Sequence, residues 1–285
     1  MPQFPPPYSS IRTANDTFRF FEMGRGKRTV IFLHGLFGSP EHWRPIMNDL
    51  SQRFRVVALQ MPVDHQPHRR RNGIHTIDEL ADHLETVLRQ LDVPQPILCG
   101  NSLGGLVAIE FCLRHPDRVE NLILSGSAGL YENNLMGKQR PRPTRDFIRT
   151  QASQILHNQD MVTDVLVEDI YSQFIDRDYV RFVLRVSRAT RDRSVRDDLC
   201  KLNVPTLIIW GKNDQITPPD VAREFHQRIK NSQLVFIDEC GHSPNWERPY
   251  QFRQILDEFL SHPTPNPAVA LGTDQIAPLE STTSW

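Results

Sequence analysis

Residues 96–105 read Pro96-Ile97-Leu98-Cys99-Gly100-Asn101-Ser102-Leu103-Gly104-Gly105. A short apolar run ends in Gly-x-Ser-x-Gly, and an apolar helical pattern over residues 103–114 follows at once, stopping before Pro116. That strand–turn–helix setting gives the pattern its meaning. A serine on so tight a turn sits in a strained backbone conformation, and side chains two residues to either side of it collide. Glycines at 100 and 104 remove those collisions. Gly105 extends the same allowance to close helix–strand packing. The turn predicts that the Ser102 hydroxyl stands at the carboxyl end of a sheet, where open α/β sheets bind ligands. The helix starting at Leu103 points its positive end at the same spot, which favours a developing anion.

Outward from this corner, compact apolar runs alternate with helical patterns. The runs are residues 29–33, 55–59, 96–99, 122–125, 206–210 and 234–237. Continuous short runs of this kind suit strands buried on both faces. Two further short strands are expected at 11–12 and 17–22, around a polar Asn15-Asp16 turn. A helix is expected over 41–53 after Ser39-Pro40, which supplies a cap and a first-turn proline. Ile77, Leu80, Leu84, Val87, Leu88 and Leu91 recur at helical spacing, with Thr76 and Glu79 placed for a capping box. Residues 218–229 and 249–260 complete the set. The alternation predicts a doubly wound α/β fold with a mostly parallel sheet.

Residues 129–199 break the rhythm. They lack a buried-strand run but carry apolar residues at helical spacing: Phe147, Ile148, Ile155 and Leu156; Val162, Val165, Leu166 and Ile170; Tyr179, Phe182, Val183 and Val186. This is read as a helical lid inserted between two strands, so that residues 1–128 and 200–261 form the core. Residues 262–285, rich in Pro, Thr, Asn, Gly and Ser, read as a disordered tail.

Three further stretches bear on chemistry. The run 29–33 leads into His34-Gly35-Leu36-Phe37-Gly38, a loop able to offer a backbone N–H opposite the nucleophile. The two oxyanion donors would then be the amides of Leu36 and Leu103. His34, at a strand end, suits a hydrogen-bonded loop anchor better than a base. Residues 206–214 are a strand and a polar turn ending in Asp214, and Glu239-Cys240-Gly241-His242 follows the last strand. The order Ser102, Asp214, His242 fits a nucleophile, an orienting acid and a general base. Asp238, Glu239 and Asp64 compete with Asp214, which position favours because it ends a strand and precedes the helix start at Pro218-Pro219.

Composition narrows the class. The chain has 285 residues, a formal net charge of -1 and 39% hydrophobic residues. This balance argues against nucleic acid or an anionic membrane as the main partner. Basic clusters occur at Arg69-Arg70-Arg71 and from Lys138 to Arg145, and the first reads as a short solvated loop. Cys99, Cys112, Cys200 and Cys240 form no metal-ligand spacing and are expected as free thiols, which suits a cytoplasmic protein. The opening residues have no secretory-signal pattern, and no apolar run is long enough for a transmembrane helix.

Taken together, His34-Gly35-Leu36, Gly100-Asn101-Ser102-Leu103-Gly104-Gly105, Gly211-Lys212-Asn213-Asp214 and Gly241-His242-Ser243-Pro244…Glu247-Arg248-Pro249 resemble four hallmarks of the α/β-hydrolase superfamily, over about residues 10–261. The resemblance implies an α/β-hydrolase fold with Ser102 as nucleophile, Asp214 as triad acid and residues 129–199 as the lid. No cofactor and no metal are implied. Serine at 102 argues against dehalogenase and epoxide-hydrolase activity, which need aspartate there. The loop at residues 61–71 departs from the glycine-rich form many relatives carry, so the shape of that rim differs.

The expected partner is a small-molecule ester or related acyl substrate, with no nucleic acid and no stable membrane insertion; the oligomeric state is left open. Leu36, Phe37 and Leu103 suggest an apolar acyl site, with Phe37 and Trp246 as pocket residues. The Gly-Asn-Ser-x-Gly-Gly elbow also resembles that of the meta-cleavage product hydrolases, which cleave a carbon–carbon bond in a vinylogous diketone. For such a substrate Arg185 or Arg188 are candidates to bind a carboxylate, against the commoner role of keeping a helix soluble. A non-catalytic ligand-binding protein of the same fold is the third alternative.

Overall fold

Every residue of the runs at 29–33, 97–101, 121–125 and 206–211 is buried, and this follows from where the strands lie. The computed structural model describes residues 8–12, 17–63, 76–133 and 144–261. Among these, β1 (Ser9–Arg12), β2 (Thr17–Met23), β3 (Thr29–Leu33), β4 (Arg55–Leu59), β5 (Ile97–Asn101), β6 (Asn121–Ser125), β7 (Thr206–Gly211) and β8 (Ser232–Ile237) form one sheet in the order β1-β2-β4-β3-β5-β6-β7-β8. Strands β3 to β8 run parallel, while β2 pairs antiparallel with β1 and β4. The chain runs from β3 to β4 on one side and returns to β5 on the other. The carboxyl ends of β3 and β5 therefore flank the topological switch point, where α/β sheets place ligands.

Alternate residues of each strand enter different cores. Ile31, Leu33, Leu98, Leu122, Leu124 and Ile208 pack on the face that carries α2 (Ile77–Gln90), α3 (Leu103–Arg114) and α7 (Pro219–Arg228). Val30, Phe32, Ile97, Cys99, Ile123 and Ile209 pack on the face that carries α1 (Arg44–Leu50) and α9 (Pro249–Ser261). Each such large apolar side chain contributes about 1.5–3 kcal/mol when fully buried. The capping box of α2 is present: Glu79 N–H donates to Thr76 Oγ1 at 3.2 Å, and Thr76 N–H to the Glu79 carboxylate at 2.9 Å.

One helix departs from expectation. Residues 40–43 form a 3-10 turn, and α1 starts only at Arg44 and ends at Leu50. Pro45 is the reason: it has no N–H to continue an α-helical ladder back to Glu41, so the helix restarts with proline in its first turn. Four-residue α8 (Pro244–Glu247) was not anticipated.

Between β6 and β7 lie α4 (Arg145–Ile155), α5 (Asp164–Gln173) and α6 (Arg177–Asp192). They divide in two. Ile148, Ala152, Leu156, Val162, Val167 and Phe174 make a cluster of their own. Tyr179, Phe182, Val183 and Val186 of α6 belong instead to the main core, and Arg193 beyond α6 pairs at 2.8 Å with buried Glu110 of α3. Val165, counted among the apolar positions of α5, is 71% exposed. The predicted turn at Asn15-Asp16, Asp64, the Arg69–Arg71 cluster and the tail lie outside the described residues. Cys99, Cys112 and Cys240 are buried free thiols, their ionisation pushed up chiefly by burial, whereas Cys200 is exposed. Among the described residues no helix is long and apolar enough to cross a membrane.

Candidate active site

Ser102 follows β5 directly and caps α3 with φ 55° and ψ -120°. An L-residue is held there only by surrounding structure. The Ser102 N–H donates to Ser125 O at 3.0 Å, and its carbonyl accepts from Gly105, Leu106 and Ala128. The glycines are needed for the approach they permit. A Cβ on Gly100 would stand 2.3 Å from Gly104 O, and one on Gly104 would stand 2.2 Å from Leu33 O. Gly35 backs directly onto the serine, since a Cβ there would lie 2.8 Å from Ser102 Cβ. Leu103, as first residue of α3, has an N–H without an intrahelical acceptor. Leu36 and Leu103 both line the cavity over Ser102.

His242 and Asp214 come from the loops after β8 and β7 and meet at 2.9 Å, Nδ1 to Oδ2, with both side chains buried. Asp214 Oδ1 accepts from the amides of Ile216 and Thr217, and Oδ2 from Thr217 Oγ1 at 2.9 Å. Thr217 Oγ1 also lies 3.3 Å from His242 Nδ1. Burial of the imidazole disfavours its charge, but the Asp214 charge and hydrogen bond, with the charge of Glu132, outweigh this and hold His242 above the ordinary histidine value. The competing acids sit elsewhere: Asp238 pairs with Lys212, and Glu239 with Arg248.

The remaining sequence candidates also find places. His34 is buried, with Nδ1 2.8 Å from Gly35 O and Nε2 accepting from Met61 N–H at 3.0 Å, which is an anchor's bonding. Asn101 donates its side-chain amide to Ser125 O and to His242 O, both at 3.0 Å, and so ties β5 to the histidine loop. Phe37 and Trp246 line the cavity, stacked on Phe174 and on His42 respectively. The cavity measures about 380 Å³. Arg185 and Arg188 are exposed and do not line it; the guanidinium that does belongs to Arg191, farther along α6.

Sequence reasoning passed over three residues. Thr217 supports the acid, and the signal was a threonine three residues after Asp214 at a helix start. Glu247 accepts from Gly241 N–H with one carboxylate oxygen and from Asn158 N–H with the other. It lay within a quoted motif but was given no role. Glu132, half-buried in the cavity wall, carried no local signal. Gly126 has φ +51°, and a Cβ there would strike His242 O at 2.6 Å. No cluster of metal-ligating side chains occurs among the described residues.

The sequence profile of the family described as alpha/beta hydrolase fold matches residues 28–249. A 2-hydroxy-6-oxononadienedioate/2-hydroxy-6-oxononatrienedioate hydrolase of Escherichia coli is 26% identical over 280 residues, covering 90% of this chain and 96% of that protein. An uncharacterised hydrolase of Bacillus subtilis is 24% identical over 247 residues, 82% of this chain and 90% of the other. A meta-cleavage product hydrolase of Pseudomonas fluorescens superposes with TM-score 0.78 at 26% identity, over 90% of this chain and 98% of that one. A bacterial membrane phospholipase A superposes with TM-score 0.79 at 22% identity, over 90% and 86% of the two chains, a likeness of fold alone.

Proposed function

From a chain that belongs to the alpha/beta hydrolase fold family, we propose a serine hydrolase that cleaves carboxylic esters of small to medium apolar acyl groups. The observation that carries this reading is the buried 2.9 Å contact of His242 with Asp214 in a cavity that also holds Ser102 on its positive-φ turn. With Nδ1 engaged by Asp214, Nε2 is the nitrogen left for proton transfer. Ser102 Oγ attacks the acyl carbon while its proton passes to His242 Nε2. The Leu36 and Leu103 amides hold the oxyanion. The tetrahedral species collapses to an acyl-enzyme as the alcohol leaves with the proton from Nε2. His242 then takes a proton from water, whose oxygen attacks the acyl carbon, and Ser102 is regenerated as the acid departs. Leu36, Phe37, Ile155 and Leu156 supply an apolar wall for the acyl chain, and helices α4 and α5 act as the lid.

A second reading, hydrolysis of a carbon–carbon bond in a vinylogous diketone, draws on the E. coli and P. fluorescens relatives at 26% identity.

The test is a panel of p-nitrophenyl esters of increasing acyl length beside a ring-fission dienone. Ester turnover that falls by about 10⁴-fold or more in Ser102→Ala is expected. Dienone cleavage far exceeding ester cleavage would install the second reading. Turnover of neither, with ligand binding intact, would make the protein a binder.

A further inference from the structure

The cavity over Ser102 carries charges that acyl transfer does not use. Among the described residues its carboxylates are Glu132 and Asp169, and its guanidinium is that of Arg191. Asp169 and Arg191 are exposed, whereas Glu132 is half-buried in the wall. Glu132 is also held in place from the acid's side. The next residue, Asn133, donates its N–H to Ile216 O at 2.7 Å and its side-chain amide to Gln215 O, so the segment after β6 is stapled to the loop that carries Asp214.

Glu132, His242 and Arg191 line the same cavity. Burial pushes its carboxyl above the ordinary value, and both cations pull it back. In turn its charge adds to that of Asp214 in favouring the charged form of His242. Arg191 donates to Ser187 Oγ at 3.0 Å, and Glu132 in the same lining opposes what its guanidinium offers an anion. With Asp169, the lining holds two carboxylates to one guanidinium among the described residues. A substrate carboxylate entering this partly dehydrated space loses hydration and meets like charge at short range, where water screens poorly.

We propose that Glu132 sets a charge rule for the site: neutral or cationic substrates reach Ser102, and substrates bearing a carboxylate are turned away. This rests on the ester-hydrolase reading and narrows its substrate class. It also sets the chain apart from its E. coli relative, whose name specifies a dioate.

The test compares p-nitrophenyl butyrate with mono-p-nitrophenyl glutarate at pH 8, one neutral and one anionic. In the wild type kcat/KM should favour the neutral ester by about tenfold or more, and Glu132→Gln should shrink that ratio by about fivefold or more. Glu132→Asp should keep the preference, and Arg191→Gln should enlarge it. A purely structural role for Glu132 would slow both esters alike and leave the ratio unmoved, which overturns the proposal, as does a wild-type ratio near one. If Glu132→Gln fails to fold, Arg191→Gln decides, and an unchanged ratio there counts against the charge rule. Binding of the same two esters to Ser102→Ala protein, read by calorimetry, separates the two claims. Should the wild type cleave no ester, the hydrolase reading fails. The charge rule then stands if the neutral ester binds more tightly and Glu132→Gln levels the difference, and falls if both bind equally.

Discussion

The corner at Ser102 and helices α4–α5 above it wall the same cavity, yet they are built in opposite ways. At the corner, backbone meets backbone so closely that single methyl groups on Gly100 or Gly104 would come within 2.3 Å of carbonyl oxygens. The strands on either side are buried along their whole length. Above it, α4 and α5 rest on a cluster of six buried side chains, several of them small, and leave Val165 and Ile175 about 70% exposed. The placing of Ser102 is thus set by main chain that has no room to move. The upper wall of the cavity rests on a small side-chain core that tolerates repacking. The boundary between the two regions does not follow the chain: α6, although only three residues beyond α5, belongs to the rigid side through Tyr179, Phe182, Val183 and Val186.

That division can be broken at three points. The largest effect belongs to the rigid side. Asp214→Asn should lower kcat by about 10⁴-fold while leaving the fold intact. The wild-type acid limb of kcat/KM should lie above the ordinary histidine value, because the base must be neutral and its folded pKa is raised. Loss of the Asp214 charge should move the limb to lower pH, and a pH–rate profile of both proteins checks the direction. Next, Phe182→Ala should lower the global unfolding free energy by about 3 kcal/mol in urea titration, since α6 shares the main core. The smallest global effect is expected for Ile148→Ala. Its loss should appear as faster hydrogen exchange in α4 and α5 and a several-fold rise in KM, with the urea midpoint moved little. If Ile148→Ala and Phe182→Ala moved the midpoint equally, the two regions would form one cooperative unit.

Much of this was legible in the chain itself. β3 to β7 were readable because strands buried on both faces must be continuously apolar. The corner was readable because its steric demand leaves only glycine. Asp214 was readable from its place after a strand, ahead of Asp238 and Glu239, which pair with Lys212 and Arg248 instead. Other features depended on distance along the chain. The periodicity of α6 says that one face is buried, but not against which partner. It also cannot tell which polar residue reaches the cavity mouth, and so it offered Arg185 and Arg188 rather than Arg191. Glu247 bonds Asn158, 89 residues away, and no local pattern announces such a contact. Pro45 was visible, and its effect on the helix over 41–53 follows from its missing N–H, a point of local chemistry that the apolar pattern masked.

Glu247 has a consequence for how ligands are sensed. One carboxylate joins Gly241, beside the base, to Asn158, just beyond α4, and His242 N–H donates to Ile155 O at 2.8 Å across the same seam. Order in the canopy and order in the imidazole loop therefore share hydrogen bonds, and coupling of this kind is reciprocal. Whatever free energy a ligand beneath the helices spends steadying α4 returns as a steadier histidine, and a ligand that immobilises the histidine tightens, by the same factor, any other lodged beneath the helices.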